Sequence, residues 1–374
     1  KDSKAPVGSL IGIYPIQGKG VVNGSSHKKL LAIGNLKQPV HAWGEIYTGI
    51  SAKDYMDGTS NFYGVHSVTL YVDSVQVFNS TTDKVLPDEN RMINGFTDYE
   101  ELTRTRRLIM RSYKLPGNRL RLLHPNENRG AVTIDEERDY HFRYVLEDNF
   151  GNRRTYQFIV KGKRQDIPEY KPEANEMLYW NRTNVIQKPG MELVVPRYYV
   201  YEDVPLRTDM RGDSSHIAFD YILDAGRTPI HSYCDLSIGL RHMPVADTTK
   251  YYIVQKAGKW RSSMGGKYAN GWIKTRVRSL GTFSVDVDTI APQITPIGQG
   301  GWRTSRNIRF RIKDMESGIG SYKVYIDGKF VLFGLKKGIL VIQNPEKVKK
   351  GVSHKLEVTV TDQCGNMTRK EYKF

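Results

Sequence analysis

The chain has 374 residues, too many for one compact core, and its length predicts two to four domains. With 39% apolar residues, 23 Tyr, 34 Gly and no apolar run near the ~18 residues that span a membrane, it reads as a soluble, turn-rich, all-β protein. The net charge of +16 does not define a nucleic-acid binder, because the basic excess is dispersed: six over residues 1–164, two over 165–287 and eight over 288–374, with no arginine-rich arm or recognition-helix pattern.

The opening, Lys1-Asp2-Ser3-Lys4-Ala5-Pro6, carries no signal-peptide pattern and runs straight into a linker, so a cut inside a longer polypeptide is expected at residue 1. Its Asp-x-x-Ala-Pro form returns at Asp288-Thr289-Ile290-Ala291-Pro292. Proline fixes φ and keeps the strand that follows at a sheet edge, so each copy marks a module start. Polar, turn-forming loops follow at Asp54–Gly58 and Asp314–Gly318. Alternating strands come next in both copies, at Gly64–Asp73 and Gly318–Asp327, the second closing on Asp327-Gly328, a strong two-residue hairpin signal. Each copy ends in an alternating strand and an Asp-x-x-Gly-Asn turn (Asp148/Gly151/Asn152; Asp362/Gly365/Asn366), then Tyr156/Phe158 or Tyr372/Phe374. The second apolar pair lies two residues further from its Asn, one sheet period, so the same face stays buried. Landmarks matched in the same order define an internal repeat.

The fold class predicted is all-β, with three tandem β-sandwich modules at 1–164, 165–287 and 288–374, the first and third immunoglobulin-like. The first is longer because of an insertion at about 79–139. There Thr97 or Asp98 caps a predicted helix carrying Tyr99, Leu102, Arg106, Ile109 and Tyr113 at helical spacing and ending before Pro116-Gly117. Its basic side, Arg104, Arg107 and Arg111, continues into Lys114, Arg119 and Arg121 and forms the densest positive cluster in the chain. That cluster is the candidate anion- or partner-binding surface, weighed against a solvated helix face. The middle segment starts strands at Met191–Pro196 and has its clearest hairpin turn at Asn270-Gly271, and it reads as a second kind of sandwich. Phe374 closes a strand and is expected to be the native terminus.

No catalytic or cofactor-binding residue is predicted. Nine histidines include no His-x-His, and no Gly-x-Ser-x-Gly, P-loop or dinucleotide fingerprint occurs. His216/Asp220 and His231/Asp235 have a zinc-like spacing, but on a strand four residues span ~13 Å, so neither pair can share an ion. Asp54 and Asp57 are too few carboxylates for calcium, and no metal ligand is assigned. Arg211-Gly212-Asp213 reads as a chance adhesion tripeptide, and Trp180, Trp260, Trp272 and Trp302 as core or interface residues rather than sugar platforms. Cys234 reads as a core position and Cys364 as a turn residue, without a disulfide between them.

The phrases Ala42–Phe78, Phe96–Glu101 (FTDYEE), Pro116–Leu123 (PGNRLRLL), Ile134–Asn152 and Ser317–Phe333 together resemble the region that follows the catalytic domain in lysostaphin-like (LytM-type) zinc metallopeptidases exported by Gram-negative bacteria. The resemblance runs over essentially the whole chain and is most specific in the first module. The middle segment, with Leu193-Val-Val-Pro196 and Glu202-Asp203, more loosely resembles the sandwich of ankyrins and netrin receptors. The resemblance implies a parent enzyme that cuts peptidoglycan, with zinc held in a preceding peptidase domain by a His, an Asp four residues on and a His-x-His. No position here matches that set, so no catalytic role carries over. It implies a non-catalytic accessory region of the cell envelope, periplasmic or associated with the outer membrane. Its implied partners are its own peptidase domain and peptidoglycan or another envelope protein, with no nucleic acid and no membrane span. The alternative is a glycan- or protein-binding module.

Overall fold

The computed structural model describes residues 2–213 and 215–374; Lys1, where the linker opens, lies outside them. The chain is all-β, with short helices, as its alternating patterns require. It divides into two compact units, one of residues 2–184, 196–206 and 225–232, the other of 185–195, 207–213, 215–224 and 233–374.

The first unit is built on two strands of 16 residues, Val7–Val22 and Val40–Tyr55, paired antiparallel. Their register shifts between Pro15 and Gly20. Here the backbones come so close that a Cβ on Gly20 would sit 2.0 Å from the Glu45 carbonyl oxygen, and one on Gly44, at φ +79°, would sit 2.1 Å from that of Lys19. Only glycine fits. Val40–Tyr55 takes further partners along its length: Val160–Gly162 in parallel, Val132–Ile134 and Met110–Arg111 antiparallel. One hydrogen-bonded network of eleven strands results, where two separate sheets are the sandwich norm. Inward positions of alternating strands, among them Ile11, Ile13, Ile50, Leu70, Phe142, Tyr144 and Leu146, form its core.

In the second unit, residues 185–188, 191–195, 234–239, 272–277 and 267–269 form one sheet. Strands over 207–211, 220–224, 281–287, 251–257 and 260–263 form another. The C-terminal strands make two four-stranded sheets, ordered Gln293–Ile297, Arg309–Lys313, Ile339–Ile342, Phe333–Lys336 and Lys329–Phe330, Ile319–Ile326, Lys355–Asp362, Met367–Lys373. The turns at Asp327-Gly328 and Asn270-Gly271 have positive φ at both residues, as a two-residue hairpin needs. Cys234 and Cys364 are buried, and no disulfide joins them. The turn residue Cys364 is a packing residue: it clusters with Tyr252 and Val254, and its carbonyl accepts from the Lys250 ammonium at 3.0 Å.

Trp302 has no exposed surface and packs on Phe310, Tyr372 and Phe374, with its Nε1–H donated to the Ile297 carbonyl at 2.9 Å. Trp302→Ala should therefore cost about 3–5 kcal/mol in the transition of the second unit, measured by chemical denaturation. His354 offers a pH test, with Nδ1 2.6 Å from Asp327 and Nε2 2.8 Å from the Lys349 carbonyl oxygen. Burial opposes its charge, yet these two acceptors raise its pKa, while the His354 and Lys355 hydrogen bonds lower that of Asp327. The raised histidine contributes stability that is present below its unfolded pKa of ~6.5 and lost as pH rises through the folded value; the lowered aspartate contributes above ~3.9 and is lost as pH falls. Thermal melts should show the second unit less stable at about pH 8.5 than at about pH 6, and His354→Gln should remove most of that difference.

Candidate functional site

The six cations singled out in the sequence do not form one surface. The helix expected to carry Arg104, Arg107 and Arg111 spans only Tyr99–Thr105. Asp98 caps it, accepting the Glu101 N–H at 3.1 Å, and Arg106 ends it in the left-handed conformation. Met110–Arg111 is then taken up by the sheet, opposite Gly49 and Ile50. Arg104 and Arg107 both bind the buried Glu101, at 2.8 and 3.4 Å, and Arg121 binds Glu89 at 2.6 Å. Arg119 lies over the Tyr198 ring, and Lys114 is half-buried with its pKa lowered by burial and by Arg129. Three of the six cations are thus paired with carboxylates, two of them with the same Glu101.

Arg111 stands apart. Strand pairing places it between two clefts of the first unit, one of about 590 Å³ beside Tyr14, Lys28, Tyr47, Tyr113 and Tyr170, the other of about 340 Å³ beside Tyr99, Tyr201 and Arg227. Glu202 and Glu100 line both. Tyr14, Tyr47 and Tyr113 stack with centroids 4.8 and 4.6 Å apart. The stack is anchored by the Tyr14 hydroxyl, which donates to Asp98 at 3.0 Å, and Asp98 also takes the Lys28 ammonium at 2.7 Å. Burial works against the Asp98 charge, but Lys28 and the Glu101 N–H hold its carboxyl below the ordinary value. Tyr47 is pushed up to about 12 by burial, against the pull of Arg111. Burial likewise opposes the Arg111 charge, yet Tyr47, Glu202, Asp98 and Tyr14 raise its pKa, so the guanidinium stays charged. Its Nε–H is buried and has no hydrogen-bond partner among the described residues. A charged guanidinium lining a cleft beside tyrosines and carboxyl groups is suited to a ligand that brings a carboxylate or other anionic oxygen together with hydroxyls.

A second constellation was missed in the sequence, although each member lay in a repeat landmark. One carboxylate oxygen from each of Asp2, Asp54 and Asp148 lies within 4.8 Å of the others, and Asp288, Asp314 and Asp362 repeat the arrangement. Asp148 and Asp362 serve their turns in the same way, each taking two backbone N–H groups on Oδ1 and the Asn side chain on Oδ2. Burial and the charges of Asp148 and Asp2 raise the Asp54 carboxyl.

The other flagged residues are engaged elsewhere. His216 and His231 sit in loops ahead of strands, with Nδ1 2.9 Å from Asp213 and 3.1 Å from the Tyr201 hydroxyl. Arg211 pairs with Asp209, and Asp213 accepts from Ser215. Trp302 is core, whereas Trp260 is 80% exposed on its edge strand and is not a core residue.

Residues 175–288 match the Zu5-like domain family. No curated protein matches the chain. Solved structures with a likeness include a 1.5-MDa bacterial ice-binding adhesin (9% identity over 88% of this chain and 89% of that one, TM-score 0.16). A Ca²⁺-stabilized adhesin with which an Antarctic bacterium binds ice gives 11% identity over 96% and 99%, at TM-score 0.17. A Bacteroides ovatus protein of a mixed-linkage glucan utilization locus, solved with a heptasaccharide, gives 10% over 87% and 62%, at TM-score 0.15. Likenesses this distant support no inference about what the chain binds.

Proposed function

We propose that this chain is a non-catalytic binding region of a cell-envelope or cell-surface protein, and that its first unit holds an acidic glycan or a peptide carboxylate in the clefts around Arg111. The observation that carries this is the charged Arg111 guanidinium, which lines both clefts beside Glu202 and the tyrosines. A cavity of about 590 Å³ is within the size range of small-ligand sites. Its lining has the character of a saccharide site: tyrosine rings supply apolar area, while Lys28, Glu100 and Glu202 supply polar contacts to hydroxyls. Arg104, Arg107 and Arg121 are secondary, because each already holds a carboxylate.

A second reading rests on the long phrases of the first module, such as Ile134–Asn152, that resemble the region after the catalytic domain of exported LytM-type peptidases. On it, the binding region positions a peptidase on peptidoglycan, whose stem peptides bring carboxylates and whose strands bring sugar hydroxyls. No helix of the described residues is long and apolar enough to cross a membrane.

Sedimentation with purified sacculi tests both readings. Wild-type chain should be retained and Arg111→Gln should lose at least tenfold in affinity, while Arg104→Gln with Arg107→Gln changes it less than threefold, about 0.6 kcal/mol. Equal losses in the two variants would restore the exposed patch as the binding surface. Zinc-supplemented chain should release no soluble muropeptides; chelator-sensitive release would overturn the non-catalytic reading.

A further inference from the structure

We infer that the Asp2/Asp54/Asp148 cluster is a divalent-cation site with calcium as its preferred ion, and that the equivalent cluster in the second copy has been satisfied internally instead. The ligand set is three carboxylates with at most 9% of each residue exposed, one oxygen from each within 4.8 Å of the others. Oxygen-only donors select a hard cation, and bonds of ~2.3–2.6 Å from a central calcium ion can reach atoms so spaced. Three carboxylates gathered away from water repel one another unless a cation or donors offset their charge.

The two copies show which offset each uses. In the second, both oxygens of Asp288 are occupied: Oδ1 accepts the Ile290 N–H at 2.9 Å, and Oδ2 accepts the N–H and hydroxyl of Ser317 at 3.0 and 2.5 Å. In the first, the residue at the Ser317 position is Asp57, third after Asp54 as Ser317 is third after Asp314. Its N–H reaches Asp2 Oδ1 at 3.1 Å, joining that of Lys4 at 3.2 Å. An aspartate has no hydroxyl to give, and the Asp57 carboxylate turns away to accept from Ser3 N–H and Oγ–H at 3.0 and 2.8 Å. Among the described residues Asp2 Oδ2 is left buried without a hydrogen-bond partner, on a residue only 6% exposed. A buried carboxylate oxygen without a donor is costly, and a cation bound among the three aspartates satisfies it.

Calcium would here lock the module's ends together. Asp2 belongs to the opening segment, Asp54 to the end of the long central strand and Asp148 to the closing turn, whose Asn152 already donates to the Asp2 carbonyl at 3.2 Å.

The test is calorimetric titration of the chelator-stripped 374-residue chain with calcium chloride, with magnesium chloride as a second arm. The expected result is one calcium equivalent with a raised melting temperature, and magnesium at least tenfold weaker. Asp54→Asn and Asp148→Asn should each lose at least tenfold in affinity, whereas Asp288→Asn should leave one equivalent bound. Asp57→Ser changes an exposed loop residue and supplies the hydroxyl that Asp288 enjoys; with its circular dichroism unchanged, it too should weaken binding at least tenfold. Absence of a saturable heat, or calcium binding that survives Asp54→Asn, overturns the site. Two equivalents in the wild type, or unchanged binding in Asp57→Ser, overturns the assignment of the bare Asp2 oxygen as its cause.

Discussion

The capture of a closing turn by one aspartate underlies the repeated module. Asp148 and Asp362 each bind two backbone N–H groups and an asparagine side chain, while Gly151 and Gly365 supply the positive φ that turns the chain back. The asparagine has a second hydrogen to give, and it goes to the carbonyl of Asp2 in one copy and of Asp288 in the other. A local turn thereby fixes where the module begins as well as where it ends, across more than seventy residues of chain. Strand register follows, since Leu146 and Val360, two residues before each aspartate, are buried core positions. Swapping the turn aspartate would release several N–H groups at once, a heavier penalty than loss of a single surface hydrogen bond.

Much of the architecture was legible because strands and hairpins are short-range chemistry. Alternation marks the buried faces of Asp139–Glu147 and Lys355–Asp362, and Asp-Gly and Asn-Gly mark two turns whose φ values only such residues adopt cheaply. The helix was legible only at its start. Asp98 caps the helix as expected, but nothing local says that Met110–Arg111 will prefer the edge offered by Gly49 and Ile50. Helical spacing from Tyr99 to Tyr113 is a weak preference of tenths of a kcal/mol per residue, and pairing with a long central strand overrides it. The single eleven-stranded network has a similar cause: it depends on a close approach of Gly20 and Gly44 that is visible only once the two strands are paired.

The same override decides the candidate site. Read as a helix face, Arg104, Arg107 and Arg111 are equivalent, so the densest basic cluster looks like one surface. Once the helix stops at Thr105, Arg104 and Arg107 fold back on Glu101, and Arg111 alone is carried by the sheet into the clefts beside Tyr14, Tyr47 and Glu202. Net charge per segment could not separate these fates, because it counts the arginines and not their carboxylates. Burial separates them: an arginine paired at the surface gains little from a further anion, whereas one held charged in a cleft gains more.

The two aspartate clusters extend this reasoning to residues that are identical in type. Asp2 and Asp288 occupy the same place in the same repeat, and sequence alone reads both only as part of a module opening. What distinguishes them is the residue at positions 57 and 317, far away in sequence, where a serine hydroxyl completes one carboxylate and an aspartate leaves the other incomplete. One unsatisfied oxygen is a small difference in a chain of this length. In a buried cluster of like charges it separates a finished turn from a site with room for an ion, because the cost of an uncompensated buried charge exceeds that of almost any single contact around it.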